Sequence, residues 1–277
     1  MKRTILFPTD FSDNAHIALD YAVAFADSLD AEILVFHAYS IALINTDMPY
    51  SVIEEELERV KHKAIEDLEA LCKTIKEKNP EVSASYILKQ GFAGSMIVEF
   101  AKDRDVDMII MGTQGAGAVK SFFIGSNAAD VIENASCPVL AVPERVPYKG
   151  IKTIAFASDY YDSDIKDLSK LTIIAKALDA EITIINISDE GKEIQEAVSA
   201  RFMREVRERN SYPRIELKLI ESDDVEKSLE KYMKENPTDL LVTSTRKRNL
   251  LEKFMERSLT KQLAYHAKVP LLAFHQK

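Results

Sequence analysis

The chain repeats itself, and that repeat limits its possible folds more than any other feature. Ile5-Leu6-Phe7-Pro8-Thr9-Asp10 returns as Ile154-Ala155-Phe156-Ala157-Ser158-Asp159, 149 residues later. Asp30-Ala31-Glu32-Ile33 returns as Asp179-Ala180-Glu181-Ile182 at the same offset. Asp107-Met108-Ile109-Ile110 matches Asp239-Leu240-Leu241-Val242, and Pro138-Val139-Leu140-Ala141 matches Pro270-Leu271-Leu272-Ala273, both at an offset of 132. The first half therefore carries 17 extra residues between Ala38 and Asp107. A length of 277 residues suits two domains. The boundary falls in the polar stretch from Pro143 to Gly150, dividing the chain into 1–146 and 147–277.

Each half alternates strand and helix. Arg3 to Phe7 is a short apolar run stopped by Pro8. Ala15, Ala18, Leu19, Ala22, Val23 and Ala26 then recur at helical spacing, with Ser12 or Asp13 placed as N-cap. Ile33 to Phe36 is a continuous apolar strand, and Ile53, Leu57, Val60, Ala64, Leu68, Leu71 and Ile75 stripe a long charged helix. Ser83 to Leu88 predicts a strand, Met96 to Ala101 a helix, Met108 to Met111 a strand, Asn127 to Glu133 a helix and Val139 to Val142 the last strand. Continuous apolar strands between helices indicate a parallel sheet covered on both faces. The expectation is an α/β chain of two doubly wound, Rossmann-like open-sheet domains, with about five mostly parallel strands each. Pairing the final strands, Cys137 to Pro143 and Val269 to His275, would protect two sticky edges and join the halves as an intramolecular pseudo-dimer.

Composition excludes several classes. No apolar run approaches the ~20 residues that span a bilayer. The opening Ile5-Leu6-Phe7 is too short for a signal-peptide core. Cys72 and Cys137 have no CxxC neighbour, so neither a disulfide framework nor a thiolate zinc site is expected. A net charge of -9 argues against broad binding to nucleic acid or an anionic membrane, and a cytoplasmic location is expected. The charge is uneven: residues 1–149 hold 14 basic and 23 acidic groups, residues 150–277 hold 22 of each.

Of eight glycines, six fall between Gly91 and Gly125. The run from Gly112 to Gly125 starts at the carboxyl end of the expected fourth strand, the edge where open α/β sheets bind ligands. Glycine lets backbone amides approach an anion and permits positive φ. Gly125-Ser126 then opens a helix whose free amides and dipole favour phosphate, with Ser126 placed to cap it. A loop that merely reverses direction explains the glycines equally well when they are taken alone. The strand before and the helix after favour phosphate. The order at Gly112, Gly115 and Gly117 is GxxGxG, neither GxGxxG nor a Walker A loop.

On these residues the chain resembles the universal stress protein family. The family's signature G-x2-G-x9-G-[ST] stands here as Gly112, Gly115 and Gly125-Ser126. Pro8-Thr9-Asp10-Phe11-Ser12, Leu34-Val35-Phe36-His37-Ala38 and Cys137-Pro138-Val139-Leu140-Ala141-Val142 match as well. The resemblance implies a nucleotide-dependent stress-response regulator or sensor that binds an adenine nucleotide, usually ATP. Asp10 and Asp13 could in principle hold Mg²⁺ through nucleotide phosphates, but magnesium sites need little protein and leave little trace in a sequence. By position the resemblance implies Asp10 at the ribose or the nearby polar groups, Ala38 and its neighbours at the second-strand end in the adenine pocket, and Gly112, Gln114, Gly115, Gly125, Ser126 and Asn127 around the phosphates. Pro8, Thr9, Met111 and Ala128 flank them. Two departures stand out: Ala116-Gly117-Ala118, where many members are basic or polar, and Asn127, which replaces a small apolar residue and adds a donor. A weak ATPase or nucleotide-transferring enzyme on the same fold, and a scaffold that binds no nucleotide, are the alternatives. A homodimer and an unidentified protein partner both stay open.

The second half lacks the motif. At the offset of 132, Gly112, Gly115 and Gly125 fall on Ser244, Lys247 and Arg257, while Ser258 matches Ser126. Arg246-Lys247-Arg248 reads as a solvated basic turn, with an anion or partner site as the alternative. His16, His37, His62, His266 and His275 lack metal spacing, and His37 reads as a packed or hydrogen-bonded histidine. Glu54-Glu55-Glu56 and the Arg201, Arg204, Arg207 stripe read as solvated helix faces.

Overall fold

The computed structural model describes residues 2–40, 50–115, 124–245 and 269–275. Ala116, Gly117, Ala118, Arg246, Lys247, Arg248, Arg257, Ser258 and His266 lie outside the described residues. The chain divides into two units, Met1–Pro147 and Tyr148–Lys277.

Unit 1 runs β1 (Arg3–Pro8), α1 (Asp13–Leu29), β2 (Ala31–Tyr39), α2 (Tyr50–Lys78), β3 (Ala84–Gln90), α3 (Ala93–Asp103), β4 (Met108–Gly112), α4 (Ser126–Asn134) and β5 (Val139–Val142). Unit 2 runs β6 (Thr153–Ala157), α5 (Asp162–Leu178), β7 (Glu181–Ser188), α6 (Lys192–Arg209), β8 (Ile215–Glu221), α7 (Val225–Glu235), β9 (Leu240–Thr245) and β10 (Leu271–His275). The strand order is β3-β2-β1-β4-β5 in the first and β10-β9-β6-β7-β8 in the second, with parallel pairing within each unit. These are the two doubly wound sheets that the alternating pattern predicts. The helix α3 starts three residues earlier than its apolar stripe suggested, because Ala93 and Gly94 offer no periodic signal.

The repeated residues have identifiable structural work. Asp30 and Asp179 end α1 and α5 in the left-handed conformation, at φ 50° and 54°, and their backbone N–H groups close the last turns. Asp suits this position better than most residues because its short side chain tolerates left-handed φ. The Asp107 carboxylate accepts the Thr4 N–H at 2.8 Å, and Asp239 accepts the Lys152 and Thr153 N–H groups at 2.8 and 2.9 Å. Each aspartate thus ties the loop before the fourth strand to the start of the first. The extra length of the first half lies largely in α2, with 29 residues against 18 in α6.

Helix α1 begins at Ser12, whose side chain accepts the Ala15 N–H at 3.3 Å. Its Ala18, Ala22 and Phe25 are fully buried against the sheet. Small residues at 18 and 22 let the helix sit close, and Phe25 fills the space beyond. Among the described residues no helix is long and apolar enough to cross a membrane. Replacing Phe25 by alanine should cost about 3–5 kcal/mol, read as a drop in the urea midpoint of unfolding.

Candidate functional site

At a topological switch point, neighbouring strands send their connections to opposite faces and leave a crevice at their carboxyl ends. In unit 1 this point lies between β1 and β4. A cavity of about 430 Å³ opens there. The end of β1 supplies Pro8, Thr9 and Asp10, and β2 supplies Phe36 and Ala38. Met111, Gly112, Thr113, Gln114 and Gly115 come from β4 and the turn after it; Gly125, Ser126, Asn127 and Ala128 come from the start of α4. All twelve residues singled out from the sequence line this one cavity. Ala15, Phe36, Ala93, Ile97 and Thr113 line it too and were missed, since small or apolar residues at element ends carry no mark of a site.

The loop after β1 is held tightly. Phe11 adopts φ 61°, a conformation that costs a bulky residue about 1–3 kcal/mol. Three contacts offset that cost. The Thr9 hydroxyl accepts the Phe11 N–H at 3.0 Å, Asp10 Oδ1 accepts the Ser12 N–H at 3.1 Å, and the Phe11 ring packs on His37 with centroids 4.8 Å apart. His37 Nδ1 lies 2.7 Å from the Thr9 carbonyl oxygen, which can only accept, so Nδ1 carries the proton. His37 is therefore a hydrogen-bonded support of this loop.

Behind the cavity, Asn14 is buried at 3% exposure. Its Nδ2 donates to the Val142 carbonyl at 3.1 Å and its Oδ1 accepts the Gln114 N–H at 2.8 Å. A Cβ on Gly112 would meet Asn14 Oδ1 at 2.7 Å and Cγ at 2.8 Å; one on Gly115 would meet Asp10 Oδ2 at 2.7 Å. Neither glycine has positive φ; among the described glycines only Gly91 and Gly150 do. Of the two properties glycine offers, positive φ is therefore not the one used at 112 and 115: there the need is space. Gly125 donates its N–H to the Thr113 carbonyl at 2.7 Å and is itself the N-cap of α4. Ser126 is the first helical residue and makes no side-chain cap, so the expected capping role is corrected too.

Unit 2 keeps the frame and places polar side chains where unit 1 has small residues. Tyr160 has φ 62°, the Ser158 hydroxyl accepts the Tyr160 N–H at 3.1 Å, and Asn186 Nδ2 donates to the Ser158 carbonyl at 2.9 Å. These match Phe11, Thr9 and His37 at the offset of 149. Where unit 1 has Ala15, unit 2 has Asp164, buried at 2% exposure. Its carboxylate accepts from the Ser158 hydroxyl at 2.8 Å and from the Asp159 and Tyr161 N–H groups at 3.2 and 3.3 Å. Where unit 1 has Ala18 and Gly112, unit 2 has Asp167 and Ser244. Burial pushes the Asp167 carboxyl above the usual carboxylate range, against the Ser244 hydroxyl and the Lys170 ammonium 3.8 Å away.

The remaining candidates do other work. Cys137 is buried. Burial, and then the Glu69 carboxylate, raise the thiol of half-buried Cys72, so Cys72 is not an activated nucleophile. Among the described residues no group of three or more His, Cys, Asp or Glu is arranged to hold a metal ion. Arg201 on α6 pairs with Glu205 at 3.5 Å.

Two outcomes follow from this packing. Gly112→Ala should destabilise the chain by about 1–3 kcal/mol, because Asn14 is fastened at both ends and cannot give way; urea titration measures it. Asp167 has its pKa raised on folding, so its ionisation works against the folded state as pH rises. Asp167→Asn should therefore raise the melting temperature at neutral pH, and the gain should vanish in acid, where both folded and unfolded carboxyls are protonated.

Comparison with known proteins agrees with the repeat. The model of the universal stress protein family matches residues 1–143 and again 168–275. A universal stress protein of Methanocaldococcus jannaschii is 32% identical over 158 residues, 52% of this chain and 97% of that protein. A universal stress protein of Synechocystis matches at 22% identity over 98% of this chain and 99% of its own length. The crystal structure of a universal stress protein from Archaeoglobus fulgidus shares the fold, with a TM-score of 0.77 at 19% identity, covering 99% of this chain and 98% of that one. Both halves of the chain match, so the chain belongs to the universal stress protein family as a tandem two-domain member.

Proposed function

We propose that the cavity of unit 1 binds an adenine nucleotide, ATP, and that the protein is a cytoplasmic, nucleotide-dependent regulator or sensor of the stress response. One observation carries the reading. The cavity joins an apolar wall of Phe36, Ala38, Ile97 and Met111 to a wall of bare backbone at Gly115 and Gly125, beside the N-terminus of α4. The apolar end suits a nucleobase. The other end offers the first-turn amides of α4, which have no partner within the helix, and the positive pole of that helix to phosphates. No lysine or arginine occurs among the described lining residues, so backbone dipoles would supply most of the attraction.

Asp10 is the one carboxylate among the described lining residues, placed to accept from ribose hydroxyls. A Mg²⁺ ion arriving with the nucleotide would be held mainly by phosphate oxygens and water, as that ion prefers, with Asp10 as the available protein ligand. Unit 2 is the non-binding copy in this reading. Its buried Asp164 and Asp167 carboxyls stand where unit 1 has Ala15 and Ala18, and Ser244 stands where unit 1 has Gly112. A regulatory role requires that the nucleotide bind one conformation or assembly better than another.

The deciding experiment is mass spectrometry of the purified chain for co-purified adenine nucleotide, followed by titration. One ATP per chain is expected, with binding abolished by Gly115→Val. Two per chain would overturn the assignment to unit 1 alone. No binding at all would leave the glycines with only the packing role described above.

A further inference from the structure

Asn127 is the second residue of α4 and lines the unit 1 cavity. Its Oδ1 accepts the backbone N–H of Gly94 at 3.3 Å. A backbone N–H can only donate, so the carboxamide has a chemically fixed orientation: oxygen toward Gly94, both Nδ2 hydrogens directed away from it. Gly94 is the second residue of α3, a helix whose N-cap, Phe92, provides no side-chain cap. Asn127 thus supplies across the cavity what α3 lacks locally. The first turns of α3 and α4 both border the cavity, through Ala93 and Ser126.

Close packing keeps this bridge in place. A Cβ on Gly94 would lie 2.5 Å from Asp130 Oδ2, so α3 and α4 approach as nearly as a bare Cα allows. Asn127 is otherwise an exposed polar residue, and among the described residues its Nδ2 has no hydrogen-bond partner.

We infer that Asn127 is a specificity-determining residue of this cavity: Nδ2 donates to the phosphate chain of the bound nucleotide while Oδ1 stays on Gly94. The ligand then ties α4 to α3 through one side chain. The inference rests on the nucleotide reading above and adds to it a discrimination between phosphorylated and unphosphorylated ligands.

Calorimetric titration of the full chain with ATP, and with adenosine in competition against ATP, tests it in the native sequence, N127A and N127D. A hydrogen bond to a charged group predicts that N127A weakens ATP about ten- to a hundredfold and leaves adenosine within about twofold. N127D keeps the shape and an acceptor for Gly94 but turns a negative oxygen where the donor was, so it should weaken ATP more than N127A does. N127D binding ATP as tightly as the native chain, or both variants losing ATP and adenosine equally, would overturn the inference and leave Asn127 as a cap for α3. A native chain that binds neither ligand sinks the nucleotide reading, and this inference with it. Thermal melts separate a folding defect from these outcomes, because N127D retains the Gly94 bond.

Discussion

The unit 1 cavity depends on one buried carboxamide. Asn14 leaves the first turn of α1, donates to the last residue of β5 and accepts from the turn that follows β4. Three elements distant in sequence are thereby fixed at one point. The same side chain fills the space over Gly112, which is why that position has no room for a Cβ. A buried amide with both ends satisfied specifies geometry as well as adding stability, since any other arrangement would strand a polar group. The turn after β4 therefore leaves the sheet in one direction, and the cavity keeps its shape before any ligand arrives.

The frame of the fold was legible because it rests on periodicity and repetition. Continuous apolar runs at Ile33 to Phe36 and Met108 to Met111 became central strands, and the doubled Asp30/Asp179 and Asp107/Asp239 pairs proved to be a helix stop and a strand tether. The location of the cavity was legible from the glycine spacing. The reasons for the glycines were not. Positive φ is the usual expectation for a glycine loop, yet Gly112 and Gly115 are required by neighbours from elsewhere in the chain, Asn14 and Asp10. Contact between residues a hundred positions apart leaves no local trace. Ala93 and Ile97 escaped for a related reason, because an alanine at a helix start looks the same whether it faces solvent, core or ligand.

The two units separate what the fold needs from what the site needs. Thr9 and Ser158, His37 and Asn186, Phe11 and Tyr160 perform matching tasks in the two β-to-α bends, with different side chains reaching the same carbonyl. The bend belongs to the fold and persists in both. Ala15 and Gly112, by contrast, are small residues of the site, Gly112 leaving room for Asn14, and their counterparts Asp164 and Ser244 are polar and buried. A carboxylate accepting three hydrogen bonds also stabilises the start of α5, so the exchange of Ala15 for Asp164 brings unit 2 a gain of its own.

That shared left-handed bend has a further consequence. Because the same backbone geometry occurs twice in one polypeptide, once beside the unit 1 cavity and once beside the buried Asp164 carboxylate, the Tyr160 bend is an internal reference for the Phe11 bend. Temperature, salt and crowding act on both bends together, whereas a small molecule seated in the unit 1 cavity would touch the first bend directly, at Thr9 and Asp10. A signal change at Phe11 on adding a ligand, with none at Tyr160, thus separates occupancy from environment within a single molecule.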